Sequence, residues 1–380
     1  MLLTLLSSAY ALTLAEAVDR AAEVNPQSIV AGLEVSRAEL DAAERYVKLG
    51  PTPELDLSRT FAGGAQTTHD RVKVTIGALD AAAWLDAAGA SSAAVALRHA
   101  RAGTALDAQY AAATLYVSAI EADRAVEAAK VSEKAATDTA AAVAGRVRAG
   151  VDSELVSRSA DASVLVARAE RLRAEAEGRV ARLRLARALE LDDLGTLEVP
   201  AALGLPAAGS AASPWLDEAA QTVRTARWQH AEALADWLPK GGLEAKSDLD
   251  PMAWSVTLSA TWKLDGVAGP FLHERRSALA VRIAETQYDA MKLDFAAELS
   301  IAVERARAAQ AVLEAQAARE ALANEAVALG QAQLAAGVTT SINLLRLVDD
   351  LASASKARVA AELDAQVATL EARRLAGEAW

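Results

Sequence analysis

Arg148-Ala149-Gly150-Val151-Asp152-Ser153-Glu154-Leu155 and Ala335-Ala336-Gly337-Val338-Thr339-Thr340-Ser341-Ile342 lie roughly half a chain apart and follow one plan. In each, an Ala-rich helical pattern runs into Ala-Gly-Val, takes a short polar step, and resumes apolar periodicity at Leu155 or Ile342. Glycine tolerates the positive φ that ends a helix, and Ser or Thr caps the start of the next one. Each copy therefore predicts the tip of a helical hairpin. A unit that recurs at this period means that the chain is built twice from one plan.

The texture on either side of the tips supports that plan. Thr13 and Glu16 make a capping-box pattern ahead of Leu14, Val18, Ala21 and Ala22, so a helix is expected over 12–49, with a break at Asn25-Pro26. Pro51 and Pro53 close that segment. Leu55, Leu57, Arg59 and Phe61 then alternate, as do Val72, Val74, Ile76 and Ala78 beyond a loop that starts Gly63-Gly64-Ala65-Gln66-Thr67-Thr68. This is a β-hairpin pattern over about 54–80, with His69 in its loop and Thr60-Phe61-Ala62 and Ala81-Ala82-Ala83 as extensions of its runs. From about Leu85 a helical pattern reaches Ala149, and Leu106, Tyr110, Ala113, Val117 and Ile120 have the spacing of a coiled-coil seam. Some 60 residues of helix make a rod of about 90 Å. Helix returns over 153–192.

Residues 193–214, rich in Gly and Pro, form a linker between the halves. Leu216-Asp217-Glu218-Ala219-Ala220 then echoes Leu14-Ala15-Glu16-Ala17-Val18, and strands are expected over about 243–264, including Trp254, Val256, Leu258, Ala260 and Trp262. A long helix from about Leu272 leads to the second tip at 336–340, and a last helix starts at Ser341. The fold class is mainly α with a small β part. Its domains are a first repeat over 12–192 and a second over 215–380, each a helix, a β-hairpin and a long helical hairpin. The alternating runs span nearer 7 or 8 residues than the ~9–11 of tilted membrane strands.

Composition bounds the function. The chain has 380 residues, a net charge of −12 and no Cys, which excludes disulfides, Cys-ligated metals and thiol catalysis. The acidic balance, without a basic stripe, argues against nucleic acid. No stretch approaches the ~18 apolar residues of a membrane helix, so any crossing must use strands. Met1 to Ala11 ends in Ala9-Tyr10-Ala11, a small-x-small pattern like the end of a secretory signal, although it lacks a positive n-region. Either the true start lies upstream, or this is ordinary sequence leading into a helix. His69, His99, His230 and His273 are scattered singly, no phosphate loop or nucleophile elbow occurs, and the carboxylates follow helical charge patterns. No enzyme, cofactor or metal site is expected.

The duplicated order resembles the TolC-like outer membrane efflux proteins, also called outer membrane factors. Leu12-Thr13-Leu14-Ala15-Glu16-Ala17-Val18 with Asn25-Pro26, the two Ala-Gly-Val tips, and Val338-Thr339-Thr340-Ser341-Ile342-Asn343-Leu344-Leu345 carry the resemblance. It implies a homotrimer whose protomers each give four strands to a shared outer-membrane β-barrel, continued by an α-helical tunnel in the periplasm. The tips, Ala149, Gly150 and Val151 with Ala336, Gly337 and Val338, would form the entrance and meet a periplasmic membrane-fusion (adaptor) protein. An inner-membrane transporter would supply energy, and the chain itself would be a passive duct of an efflux or type I secretion system. Many relatives carry two Asp residues near the entrance, where this chain has Asn343 and Arg346. Asp349 and Asp350 follow Arg346 at helical ion-pairing spacing. Trp84, Trp254 and Trp262 suit either an interfacial aromatic girdle or packing between strand and helix base. Two other readings of the helices are a coiled-coil scaffold outside any membrane and a periplasmic adaptor-like protein. The paired alternating segments distinguish the duct from both.

Overall fold

The computed structural model describes residues 11–62, 65–76, 80–200, 203–206, 213–235, 237–238, 240–249, 252–261 and 268–378. Met1 to Tyr10, Gly63, Gly64, Ala78 and Trp262 lie outside them. The elements run α1 (Leu14–Val24), α2 (Pro26–Leu49), β1 (Pro51–Ala62), β2 (Ala65–Ile76), α3 (Ala81–Arg148), α4 (Glu154–Ala188), α5 (Pro214–Ala235), β3 (Lys240–Leu249), β4 (Met252–Thr261), α6 (Ala268–Ala335) and α7 (Ser341–Leu375). The order is the predicted doubling of helix, two strands and helical hairpin, including the expected break in the first helix. The first leading helix is split at Asn25, because Pro26 has no N–H to continue the ladder. α3 and α6 have the same length, 68 residues, as do α4 and α7, 35 residues.

Several boundaries differ from the sequence reading. The strands are 12, 12, 10 and 10 residues long, not 7 or 8, because backbone pairing continues through Pro51, Thr67, Gly241 and Gly242, where side-chain alternation is silent. Ala65 to His69 sit in β2, with His69 opposite Ser58, and not in the expected loop. Ala81, Ala82 and Ala83 open α3, where Asp80 Oδ1 accepts the Ala82 N–H at 3.0 Å. α4 ends at Ala188, earlier than 192, because Glu190 takes a positive φ of 50°. Pro214 begins α5 instead of ending the linker, and Pro270 sits in the first turn of α6, positions where a missing N–H costs nothing.

The chain divides into two compact units that cut across the sequence repeats, so each repeat contributes to both. One unit comprises 1–26, 105–211 and 296–380. Its core includes the predicted seam residues Leu106, Tyr110, Ala113, Val117 and Ile120, all buried. The Thr13–Glu16 capping box forms, with the Glu16 N–H on Thr13 Oγ1 at 3.2 Å and the Thr13 N–H on Glu16 Oε2 at 3.0 Å. Leu12 joins the linker by a parallel bridge to Leu197. Tyr116 fixes that junction, its hydroxyl lying 2.6 Å from the Leu12 carbonyl and 2.7 Å from that of Glu198.

The other unit comprises 27–104 and 212–295. Its helical part packs small side chains, Ala87, Ala94, Ala226 and Ala233, around a polar contact in which Gln221 donates to Ser92 Oγ at 3.0 Å. Its four strands form one antiparallel sheet in the order β1-β2-β3-β4, so β2 of the first repeat pairs with β3 of the second.

Candidate functional site: the helical tips and the two-faced sheet

Both tips belong to the first unit and share one hydrogen-bond pattern. At the first, the Gly150 N–H donates to Val147 O at 2.9 Å and the Val151 N–H to Arg146 O at 2.9 Å. At the second, the Gly337 N–H donates to Leu334 O at 3.1 Å and the Val338 N–H to Gln333 O at 2.9 Å. Each is a Schellman motif, closed by a left-handed glycine with φ of 74° at Gly150 and 71° at Gly337. A Cβ built on either glycine meets nothing within 4 Å, so the glycines serve backbone conformation and not close packing. Beyond them, Val151 and Leu155 on one tip and Val338 and Ile342 on the other are exposed.

The caps differ. Thr340 accepts the Asn343 N–H, as expected, whereas Ser153 has cap backbone geometry but no side-chain cap bond. Asp152, beside it, is committed elsewhere. Its Oδ2 accepts from Arg146 Nε at 2.8 Å and from the Ser341 hydroxyl of the other hairpin, and Arg146 Nη1 reaches Leu334 O at 3.3 Å. These two donors hold the Asp152 carboxyl below the usual carboxylate range. Apolar packing makes the same connection: Leu344 joins Val327, Leu334 and Val348, while its neighbour Leu345 joins Val143 and Ala160 across the hairpins. The sequence singled out neither Arg146 nor Leu345. Asp152 was visible only as a member of the repeated polar step, and Ser341 only as the start of the last helix.

Asn343 and Arg346 are both exposed on the first turns of α7. Asn343 is partly engaged in the cap, its Nδ2 lying 3.5 Å from Thr339 Oγ1. The expected ion pairing of Arg346 is absent. Desolvation and the neighbouring Asp350 raise the Asp349 carboxyl, and Arg346 does not relieve it, because the exposed guanidinium gains more from water than from a surface pair.

In the second unit the sheet has two chemically distinct faces. Lys73 Nζ lies 3.8 Å from Glu54 and 3.6 Å from Glu244, and Lys246 pairs with Glu244. These residues share a face with Thr75, Ser255, Thr257 and Ser259. The alternate positions, on the opposite face, include Leu55, Val72, Val74, Ile76, Leu243, Ala245, Trp254, Val256, Leu258 and Ala260, with Ser247 as a polar member. Among the described residues much of that face is left open, with Trp254 79% and Leu258 72% exposed. Trp84 is not a strand residue: it opens α3 and meets Tyr46 of α2 edge to face at 6.3 Å. Among the described residues no group of His, Asp or Glu side chains is placed to hold a metal, and no helix is long and apolar enough to cross a membrane.

No protein-family model and no curated protein matches the sequence. Solved structures do match the fold. CusC, which forms a transmembrane channel, is similar with a TM-score of 0.86 at 13% identity, over 96% of this chain and 92% of that one. The Neisseria gonorrhoeae MtrE outer membrane channel has a TM-score of 0.82 at 18% identity, over 96% and 88%. The Campylobacter jejuni CmeC outer membrane channel has 0.79 at 13%, over 96% and 85%. The chain has the fold of these outer membrane channels, the one expected from its doubled helix and hairpin order.

Proposed function

We propose that this chain is one protomer of an outer-membrane export duct, working without chemistry of its own in a tripartite efflux or type I secretion system. The sheet carries the proposal. A soluble scaffold would gain nothing from a face of Leu55, Val256, Leu258 and Trp254 turned to water on strands of 10–12 residues. A barrel wall needs that face for lipid, and the Lys73–Glu54–Glu244 face for a water-filled lumen. Among the described residues the outer edges of β1 and β4 have no strand beside them. Hydrocarbon does not tolerate open edges, so the barrel would close only with further copies, three in the homotrimer that the family resemblance implies.

The tips are proposed as the periplasmic entrance. Ala149, Gly150 and Val151 with Ala336, Gly337 and Val338 would receive an adaptor protein, and the exposed Val151, Leu155, Val338 and Ile342 offer it repeat-related apolar contacts. Asn343 and Arg346 would face the passage near that entrance, and the inner-membrane transporter would be reached through the adaptor. Reconstitution into planar bilayers tests the duct: a detergent-resistant trimer with single-channel conductance is expected. Recovery as a soluble monomer with no conductance would reject it in favour of a scaffold. Crosslinking from position 151 or 338 to a co-expressed adaptor tests the docking separately.

A further inference from the structure

Glu121 is the most deeply buried carboxylate in the first unit, with its side chain 2% exposed. It sits on α3 within a chain of charges spanning three helices. Arg124 of α3 donates to Glu121 Oε1 at 2.9 Å and also to Glu362 of α7. Arg358 of α7 donates to Glu362 at 3.0 Å and lies 2.6 Å from Glu320 of α6. Gln366 of α7 completes the contacts, its Nε2 lying 3.4 Å from Glu121 Oε1. Three carboxylates thus share two guanidiniums. The other Glu121 oxygen, Oε2, is buried with no hydrogen-bond partner.

The surrounding charges do not supply the missing partner. Glu121 borders a cavity of about 560 Å³ between α3, α4 and α7. The ionic groups lining that cavity from α4 and α7 are Glu170, Arg173, Glu177, Asp349 and Lys356. Of these, Arg173 is paired with Glu177 at 2.9 Å and Lys356 with Glu170 at 3.3 Å, and Asp349 is itself an acid. A bare carboxylate oxygen shut away from water costs several kcal/mol unless it is paired or neutralised.

We propose that Glu121 is a proton-binding site: one proton at Oε2 balances the cluster's charge and tightens the α3–α6–α7 junction, and losing it loosens that junction. With the proton in place, three carboxyl groups carry two negative charges against two guanidiniums, and Arg124 is free to serve Glu362. Without it, the buried excess charge is relieved only by admitting water between α3 and α7. The environment agrees in direction: burial first, and then the nearby Glu362, push the Glu121 carboxyl up to about 7 against the relief from Arg124 and Arg358. A raised carboxyl pKa means that the closed junction binds the proton more tightly than the open one. The tightening is therefore full below the ordinary glutamate value of 4.5, declines as pH rises from there, and is lost once pH passes about 7. This holds whether or not the chain forms a duct.

The test uses the full chain in detergent, with no transport readout. Infrared difference spectra should show a protonated carboxyl band that disappears as pH rises through neutrality and is missing in Glu121→Gln. Hydrogen exchange of peptides over 116–128 and 358–366, corrected for intrinsic rates, should lose protection about tenfold between pH 6 and 8. Glu121→Gln, neutral at every pH, should keep the low-pH protection throughout. A wild-type protein without the band, or a Glu121→Gln protein following the wild-type pH curve, would overturn the proposal. If Glu121→Gln fails to fold, the wild-type infrared titration alone decides.

Discussion

Asp152, just past the first tip, accepts the hydroxyl hydrogen of Ser341, the first residue of the last helix, so the two hairpins are tied to each other at their turns. Arg146 completes the tie at 2.8 Å from the same carboxylate oxygen. Asp152→Ala should remove both bonds, speed hydrogen exchange over 146–155 and 339–345, and leave exchange around Tyr116 unchanged. Because the Asp152 carboxyl is held low, its contribution is present above the ordinary carboxylate pKa and fades as pH falls through the folded value. Acid titration of the same peptides should therefore reproduce the variant's effect in the wild-type protein.

Gly337→Ala isolates the cost of backbone conformation. With φ at 71° and open space around the missing Cβ, no clash accompanies the change. The left-handed conformation alone should cost about 1–2 kcal/mol. Gly337→Asn should recover much of it, because Asn tolerates that region. Chemical denaturation followed by a probe in the first unit measures the difference.

Leu258→Lys and Thr257→Lys place one charge on opposite faces of β4. On the proposed lipid face the charge should cost about 2–4 kcal/mol if it falls near the bilayer midplane, and trimer yield in outer-membrane fractions should fall sharply. At 257 the new Lys sits opposite Glu244 and should be tolerated. Equal yields for the two variants would contradict the assignment of faces.

Tyr116→Phe leaves the Glu198 carbonyl without its phenolic donor, while Leu12 O keeps the Glu198 N–H at 3.1 Å. A loss of about 1–2 kcal/mol is expected, seen as a lower denaturation midpoint. Burial pushes the Tyr116 hydroxyl up to about 12, so the fold favours the neutral phenol. Stability should decline as pH rises from the ordinary tyrosine range near 10 towards 12, and less steeply in the Phe variant.

The turns, caps and helix seams were legible because each is a local event. A glycine needing positive φ, a Thr three residues before a Glu, and apolar residues at coiled-coil spacing all leave their mark within a few positions. The strand lengths were not, since Gly241, Gly242 and Thr67 pair through backbone atoms that side-chain alternation does not report. The Arg146–Asp152–Ser341 tie was hidden for a different reason. Its members come from separate hairpins and have ordinary surface chemistry until the fold brings them together. Glu121 was equally silent, one acid among many on a helix, and only its burial beside a shared arginine distinguishes it. The division into two units across the repeats also could not be read, because α3 and α6 have no break in pattern near 105 or 296.

The unpartnered edges of β1 and β4 also bear on how the protein is made. A chain that ordered its sheet alone would present two rows of open backbone donors and acceptors beside an apolar face, which is the template for runaway strand addition. If the proposed trimer forms, the safe order is for the sheet to set last, when sister chains meet. Its maturation then depends on the concentration of newly delivered protomers, and a cell short of them would accumulate helical chains whose strands have yet to form.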